Sequence, residues 1–232
     1  MKKMYSKKYR EATNDIDLGS FYGLEEAISL IKKTSVTKFD ATTEAHFRLG
    51  VDIAAPEQMV RGIIDLPHGS GKTRKILVFA KDEKAKEAKE AGADMIGAED
   101  WVEKIEKGFT GFDVVVAAPE MMPTIARLGK ILGTKGLMPS PKSGTVTQDI
   151  GKTVKALKAG RVEFRMDAGG VVHLPFGKAS FTGEALSENF VAALKAIIKA
   201  KPSGSKGAYL KSVSLSTTMG PGIKVDLSSL KI

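Results

Sequence analysis

Gly69-Ser70-Gly71-Lys72-Thr73 ends in the manner of a phosphate-cradling loop, so nucleotide hydrolysis is the first chemistry to weigh. That loop needs a glycine five residues before Gly71, and the chain has Leu66 there, followed by the rigid Pro67. It also needs a helix to follow, so that N-terminal amides meet the phosphates. Here the glycines run into Lys75-Ile76-Leu77-Val78-Phe79-Ala80, which reads as a strand. The segment therefore reads as a flexible joint. The three histidines, His46, His68 and His173, have no second histidine or carboxylate at helical ligand spacing, and no G-x-S-x-G elbow occurs. Neither a metal centre nor a hydrolase has support, and no enzyme activity and no cofactor are expected. The segment Arg127 to Val146 interleaves Gly129, Gly133, Gly136 and Gly144 with Pro139, Pro141, Lys130, Lys135 and Lys142. It reads as a long basic loop without regular helix or strand, able to approach phosphates closely.

The elements that hold these residues follow from periodicity. Leu24, Ala27, Ile28 and Ile31 predict a helix after Gly23. From Thr43 onward, Ala45, Phe47, Leu49 and Val51 alternate with Glu44, His46 and Arg48, as a half-buried strand with one free polar face requires. Val60 to Leu66 predicts a second strand. Over 70–160 the texture becomes strand (75–80), helix (82–91, capped by Asp82), strand (94–96), helix (99–107), strand (113–117), helix (119–128) and helix (149–158), which implies a parallel α/β sheet. Beyond Gly160, RVEFRM and GVVHLPF read as a hairpin, Glu184 to Ala200 as an amphipathic helix, and AYLKSVSLSTT with GIKVDL as a final strand pair.

Strands dominate both ends and βαβ rhythm fills the middle, so the expected fold class is α+β and α/β in two domains. An α+β domain of residues 1–69 and 161–232 holds an inserted α/β domain of residues 70–160. The seams are hinges near 69–71 and 159–161, at Gly69, Ser70, Gly71 and Gly160.

With 232 residues, 42% of them hydrophobic, the chain can bury a real core, and its net charge of +9 puts a polyanion first among partners. Residues 70–160 carry 16 basic against 12 acidic residues and the remainder 20 against 15, so charge does not say which domain leads. The absence of cysteine excludes disulfides and thiolate chemistry. No apolar run approaches eighteen residues and the opening lacks a signal-peptide core, so no membrane partner and a cytoplasmic location are expected. Lys2, Lys3, Lys7, Lys8 and Arg10 form either a solvated tail or an arm that orders on RNA. A duplex-DNA reader is the rival binding module, but no helix-turn-helix spacing or basic zipper is visible.

LPHGSGK, the 127–146 segment, AGRVEFR, VHLPFGKASF and TTMGPGIKV together resemble, in order and over nearly the whole chain, the bacterial-type large-subunit ribosomal stalk protein of the L-one family. The resemblance implies a Rossmann-like three-layer α/β domain inserted into a discontinuous split-βαβ domain. It implies a monomer within the large subunit that binds the rRNA stalk near the tRNA exit site and assists release of deacylated tRNA. It also implies repression of the protein's own operon mRNA.

KFDATTEAHF matches one RNA-binding stretch of the family and carries over Lys38, Phe39, Thr42, Glu44 and His46; STTMGPG matches the other and carries over Thr217, Thr218, Met219 and Gly220. Ser212, Lys178 and Ser180 lie in matching motifs. Such small donors and acceptors suit irregular RNA, which is read through 2′-hydroxyls, phosphates and unstacked bases. Phe39 either stacks on a base or anchors the strand; without the resemblance it reads as core. Two departures stand out. Ala54-Ala55 replaces a basic pair usual in bacterial relatives, which bears on tRNA contact, and Thr134-Lys135 stands where Pro-Arg is common.

Overall fold

In a computed structural model, which describes residues 6–14, 16–205 and 207–230 (backbone alone at Pro56 and Asp82), the chain forms two compact units. One contains residues 1–71 and 162–232, the other 72–161. Among the described residues, no helix is long and apolar enough to cross a membrane.

The N-terminal segment supplies α1 (Lys7–Thr13), β1 (Phe21–Tyr22), α2 (Leu24–Lys33), β2 (Thr42–Leu49) and β3 (Arg61–Asp65). Lys2 and Lys3 of the basic tail lie outside the described residues; Lys7, Lys8 and Arg10 are exposed on α1. In α2, Ala27, Ile28 and Ile31 are buried, while Glu25 and Glu26 in the first turn and Lys32 and Lys33 in the last complement the helix dipole. The alternation in β2 is realised: Thr43, Ala45, Phe47 and Leu49 are buried, and Thr42, Glu44, His46 and Arg48 face outward.

The second unit contains β4 (Ile76–Phe79), α3 (Asp82–Glu90), β5 (Met95–Gly97), α4 (Glu99–Glu106), β6 (Val114–Ala117), α5 (Met122–Ala126), α6 (Gly129–Thr134) and α7 (Ile150–Ala159). Its sheet is parallel in the order β5-β4-β6, and the central strand is buried at every residue, as a strand covered on both faces must be. Lys81, not Asp82, occupies the N-cap of α3. The helix predicted over 119–128 is divided: a 3₁₀ turn at Pro119–Met121 precedes α5, where Pro123 falls in the first turn and Met122 opens the helix. The absence of regular structure expected over 127–146 is also corrected. Gly129 to Thr134 is helical, because burial of Leu128 and Leu132 outweighs the weak helix propensity of its two glycines. Helix α7 ends at Gly160, which takes the left-handed conformation (φ 116°) that a side chain resists.

The returning chain adds β7 (Arg161–Arg165), β8 (Val171–Lys178), α8 (Gly183–Lys199), β9 (Leu210–Thr217) and β10 (Ile223–Val225). The hairpin expected from β7 and β8 does not form as a ladder. They share only the Met166–Val172 bridge, then diverge: β7 pairs with β3, and β8 with β2. The five-stranded sheet runs β1-β10-β9-β2-β8, with β1 parallel to β10 and the other pairs antiparallel. β1–α2–β2 and β8–α8–β9 are thus both crossovers split by intervening strands. Phe47 and Phe176 pack on Phe190 of α8, with ring centroids 5.7 and 6.1 Å away. The helices cover the odd-numbered face of β2, and the even-numbered face remains open.

Candidate nucleic-acid interface

The start of β2 and the end of β9 meet at one rim of this sheet, although 176 residues separate them in the chain. The Thr218 amide donates to the Thr42 carbonyl (3.0 Å) and the Thr42 amide donates to the Thr218 hydroxyl (3.1 Å). The Lys178 ammonium donates to the Thr42 hydroxyl (3.0 Å), and Asp40 accepts from the amide and hydroxyl of Ser180 at 3.1 and 2.8 Å. Thr42, Thr218, Lys178 and Ser180 are thereby held in one network. Asp40 orders it, although sequence reasoning did not single that residue out. A bulge between Thr43 and Glu44 in the β2–β8 pairing bends the strand beside this network.

Two large apolar side chains stand out of the rim. Phe39 is 62% exposed, which corrects its reading as core, and Met219 is 73% exposed. Met219 is the one non-glycine with positive φ (66°) among the described residues. It sits at the third position of a turn closed by the Gly220 amide donating to the Thr217 carbonyl at 2.8 Å. A side chain in this left-handed region stores strain, which the closed turn must hold. Beneath it, a Cβ added at Gly220 would lie 2.3 Å from the Thr217 hydroxyl oxygen, so the turn closes only over glycine.

The remaining expected residues distribute unevenly. Lys38 is exposed next to Phe39, and Glu44 is half-buried on the open face opposite Ser216. Thr217 is only 3% exposed, and its hydroxyl, like that of the paired Thr43, has no hydrogen-bond partner. Its side chain therefore supports the turn from below and offers no outward contact. The sequence carried this signal, since Thr217 shares the parity of buried Val213 and Leu215. Ser212 lies on the open face opposite Arg48 but about 17 Å along β9 from the rim.

His46 occupies the middle of the open face and joins a chain that sequence spacing did not reveal. Its Nδ1 lies 2.8 Å from Nδ1 of His173 and its Nε2 lies 2.9 Å from Oγ of Ser216, while His173 Nε2 lies 3.3 Å from Asp167 Oδ2. With His173 donating to Asp167, its Nδ1 accepts from His46, and His46 Nε2 accepts from Ser216, so both rings are satisfied neutral. Burial chiefly, and then the neighbouring His173, push the His46 pKa below its ordinary 6.5, opposed by Glu44. Hydrogen bonds from the amides of Val171 and Gly169 and from His173 hold the Asp167 carboxyl below the usual range despite some desolvation.

The first crossing between the units is fastened where flexibility was expected. Asn189, fully buried on α8, accepts from the His68 amide (3.0 Å) and donates to the carbonyls of Gly69 (3.0 Å) and Phe176 (2.8 Å). His68 also meets Glu188 at 2.6 Å. Gly69, one of the expected hinge residues, is thus tied to the first unit by its carbonyl, and Ser70 beside it is buried. Gly71, with φ 69°, packs against the stem of Lys178, and irregular, mostly exposed residues follow from Lys72 to Lys75. Ala54 and Ala55 lie in the loop after β2, and Lys130, Lys135 and Lys142 are exposed in the second unit.

A sheet face lined with hydroxyls, imidazoles and a few cations, rimmed by two exposed apolar side chains, is the surface of a binding protein. The family model described as "Ribosomal protein L1p/L10e family" matches residues 31–221, and the chain belongs to that family. It is a structural component of the large ribosomal subunit, not an enzyme, and binds rRNA within that subunit.

Proposed function

We propose that the rim of Phe39, Thr42, Lys178, Thr218 and Met219 grips the large-subunit rRNA stalk near the tRNA exit site. The observation that carries this reading is the reciprocal Thr42–Thr218 pairing, which places both family-like stretches beside the strained, outward Met219 turn. Met219 and Phe39 cover base faces, while Thr42, Glu44 and the Gly220 carbonyl meet sugar hydroxyls. Thr217 acts through the turn. Residues 72–161 form a hinged insert that swings about the irregular, mostly exposed segment Gly71–Lys75 and about Gly160 at the end of α7.

Through this motion the protein assists departure of deacylated tRNA, and the same rim binds a similar fold in its own operon mRNA and represses its translation. What supports both is family membership together with a rim whose small polar groups suit irregular RNA.

The test is titration of the folded rRNA stalk fragment with Thr218→Ala and Met219→Ala, against tRNA and duplex DNA as competitors. Each substitution is expected to weaken stalk binding by about 1–3 kcal/mol without unfolding the chain. Unchanged affinity in both variants removes the rim from the interface, and a preference for duplex DNA removes the RNA reading.

A further inference from the structure

The open face does not end at the rim. One row of side chains crosses all five strands, Phe21–Lys224–Ser214–His46–His173, each the registered neighbour of the next. At its far edge, Phe21 is 66% exposed, and the Lys224 ammonium stands 5.6 Å from its ring centroid. Phe21 lies roughly 20 Å from Thr42, three strand spacings across and about four residues along.

We propose that this Phe21–Lys224 corner is a second RNA-contact site, where the ring stacks on an unpaired base and the ammonium meets the adjoining phosphate. The proposal rests on the reading of the rim as the RNA grip, because the same RNA must lie across β9 and β10 to reach both.

Three observations favour RNA as the occupant. The ground between corner and rim is polar: among the described residues, the Ser212 and Ser214 hydroxyls have no protein partner, and Ser216 is held by His46. Such hydroxyls match the 2′-hydroxyls and phosphates of RNA, whereas a protein partner would be met by several apolar groups rather than by one ring. The corner is also free to act as a cation. The Lys224 ammonium makes no ion pair or hydrogen bond among the described residues; Asp17 acts on it only through its charge, and that carboxylate is held by the Gly19 amide (2.9 Å) and the Ser20 hydroxyl (2.6 Å). Finally, β2 and β9 carry both the rim and the middle of the row, so the surface is continuous.

The experiment titrates the folded rRNA stalk fragment with the full chain and with Phe21→Ala, Lys224→Ala and Met219→Ala, over a salt series, with thermal unfolding as a control for fold. Phe21→Ala is expected to weaken binding about fivefold to twentyfold, the effect of one lost stacked base. Lys224→Ala should weaken it about threefold and reduce the slope of log affinity against log salt by about 0.7–0.9, one phosphate contact. If Met219→Ala weakens binding and neither corner variant does, the corner is not an RNA site and the rim reading survives. That outcome would leave a protein as the corner's occupant. If the corner variants weaken binding and Met219→Ala does not, the RNA meets the corner without the rim, and both the rim reading and the proposal of one RNA spanning the two sites fall. If no variant changes affinity, both are overturned.

Discussion

Replacing Gly220 by alanine probes the rim through a single contact. The added Cβ would lie 2.3 Å from the Thr217 hydroxyl oxygen, 3.3 Å from the Thr217 carbonyl and 3.5 Å from its Cβ, so the hydroxyl is the main obstacle. Restoring an ordinary contact requires a shift of about 1 Å, and overpacking of this kind costs roughly 1–3 kcal/mol. Against a total stability of about 5–15 kcal/mol, the variant stays folded. The displaced turn carries Thr218 and Met219 with it, so affinity for the stalk RNA should fall about tenfold, within the range of one lost specific contact.

Thr217→Ala removes the obstacle. Its own cost should be near zero: losing a buried methyl costs about 0.8 kcal/mol, offset by removing a buried hydroxyl that has no partner. The double variant should therefore recover most of both stability and affinity, giving a favourable coupling of about 1–2 kcal/mol in a double-mutant cycle. Urea unfolding and RNA titration of the four proteins measure it. Strict additivity, with the double variant no better than Gly220→Ala alone, would refute the steric account of the turn.

Asn189→Ala strips partners from the His68 amide and the Gly69 and Phe176 carbonyls and should destabilise the protein by about 2–5 kcal/mol, read in urea unfolding. Asn189→Asp should fail nearly as badly, since it cannot donate to the two carbonyls. Stability should fall with pH below 6.5, because His46 binds a proton less readily folded than unfolded; its contribution is full above 6.5 and lost as pH drops toward its lowered folded value. Asp17, Asp94, Asp167 and Asp226, all held below 3.8, lose theirs only at still lower pH, so thermal midpoints between pH 7.5 and 5 should flatten in His46→Gln. A chain in which residues 72–161 are replaced by a short glycine linker should keep its stalk affinity; a collapse in titration would assign the grip to the second unit instead.

Signals of short range were legible in the sequence. The alternation Ala45-Phe47-Leu49 against Glu44-His46-Arg48 states which face of β2 is buried, because a strand's side chains alternate whatever its neighbours are. The βαβ rhythm of the middle is likewise local, and in-order motifs over most of the chain carry the family. Tertiary contact decided the rest. Whether β7 pairs with β8 or with β3 depends on which partner better buries Val162 and Phe164, and the helix at 129–134 depends on a core waiting for Leu132. The imidazole pair joins residues 127 positions apart, and the Asn189 clamp spans 120 positions to Gly69. A chain read one window at a time states which side chains turn inward. Which distant side chains they then meet is set only when the strands choose their neighbours.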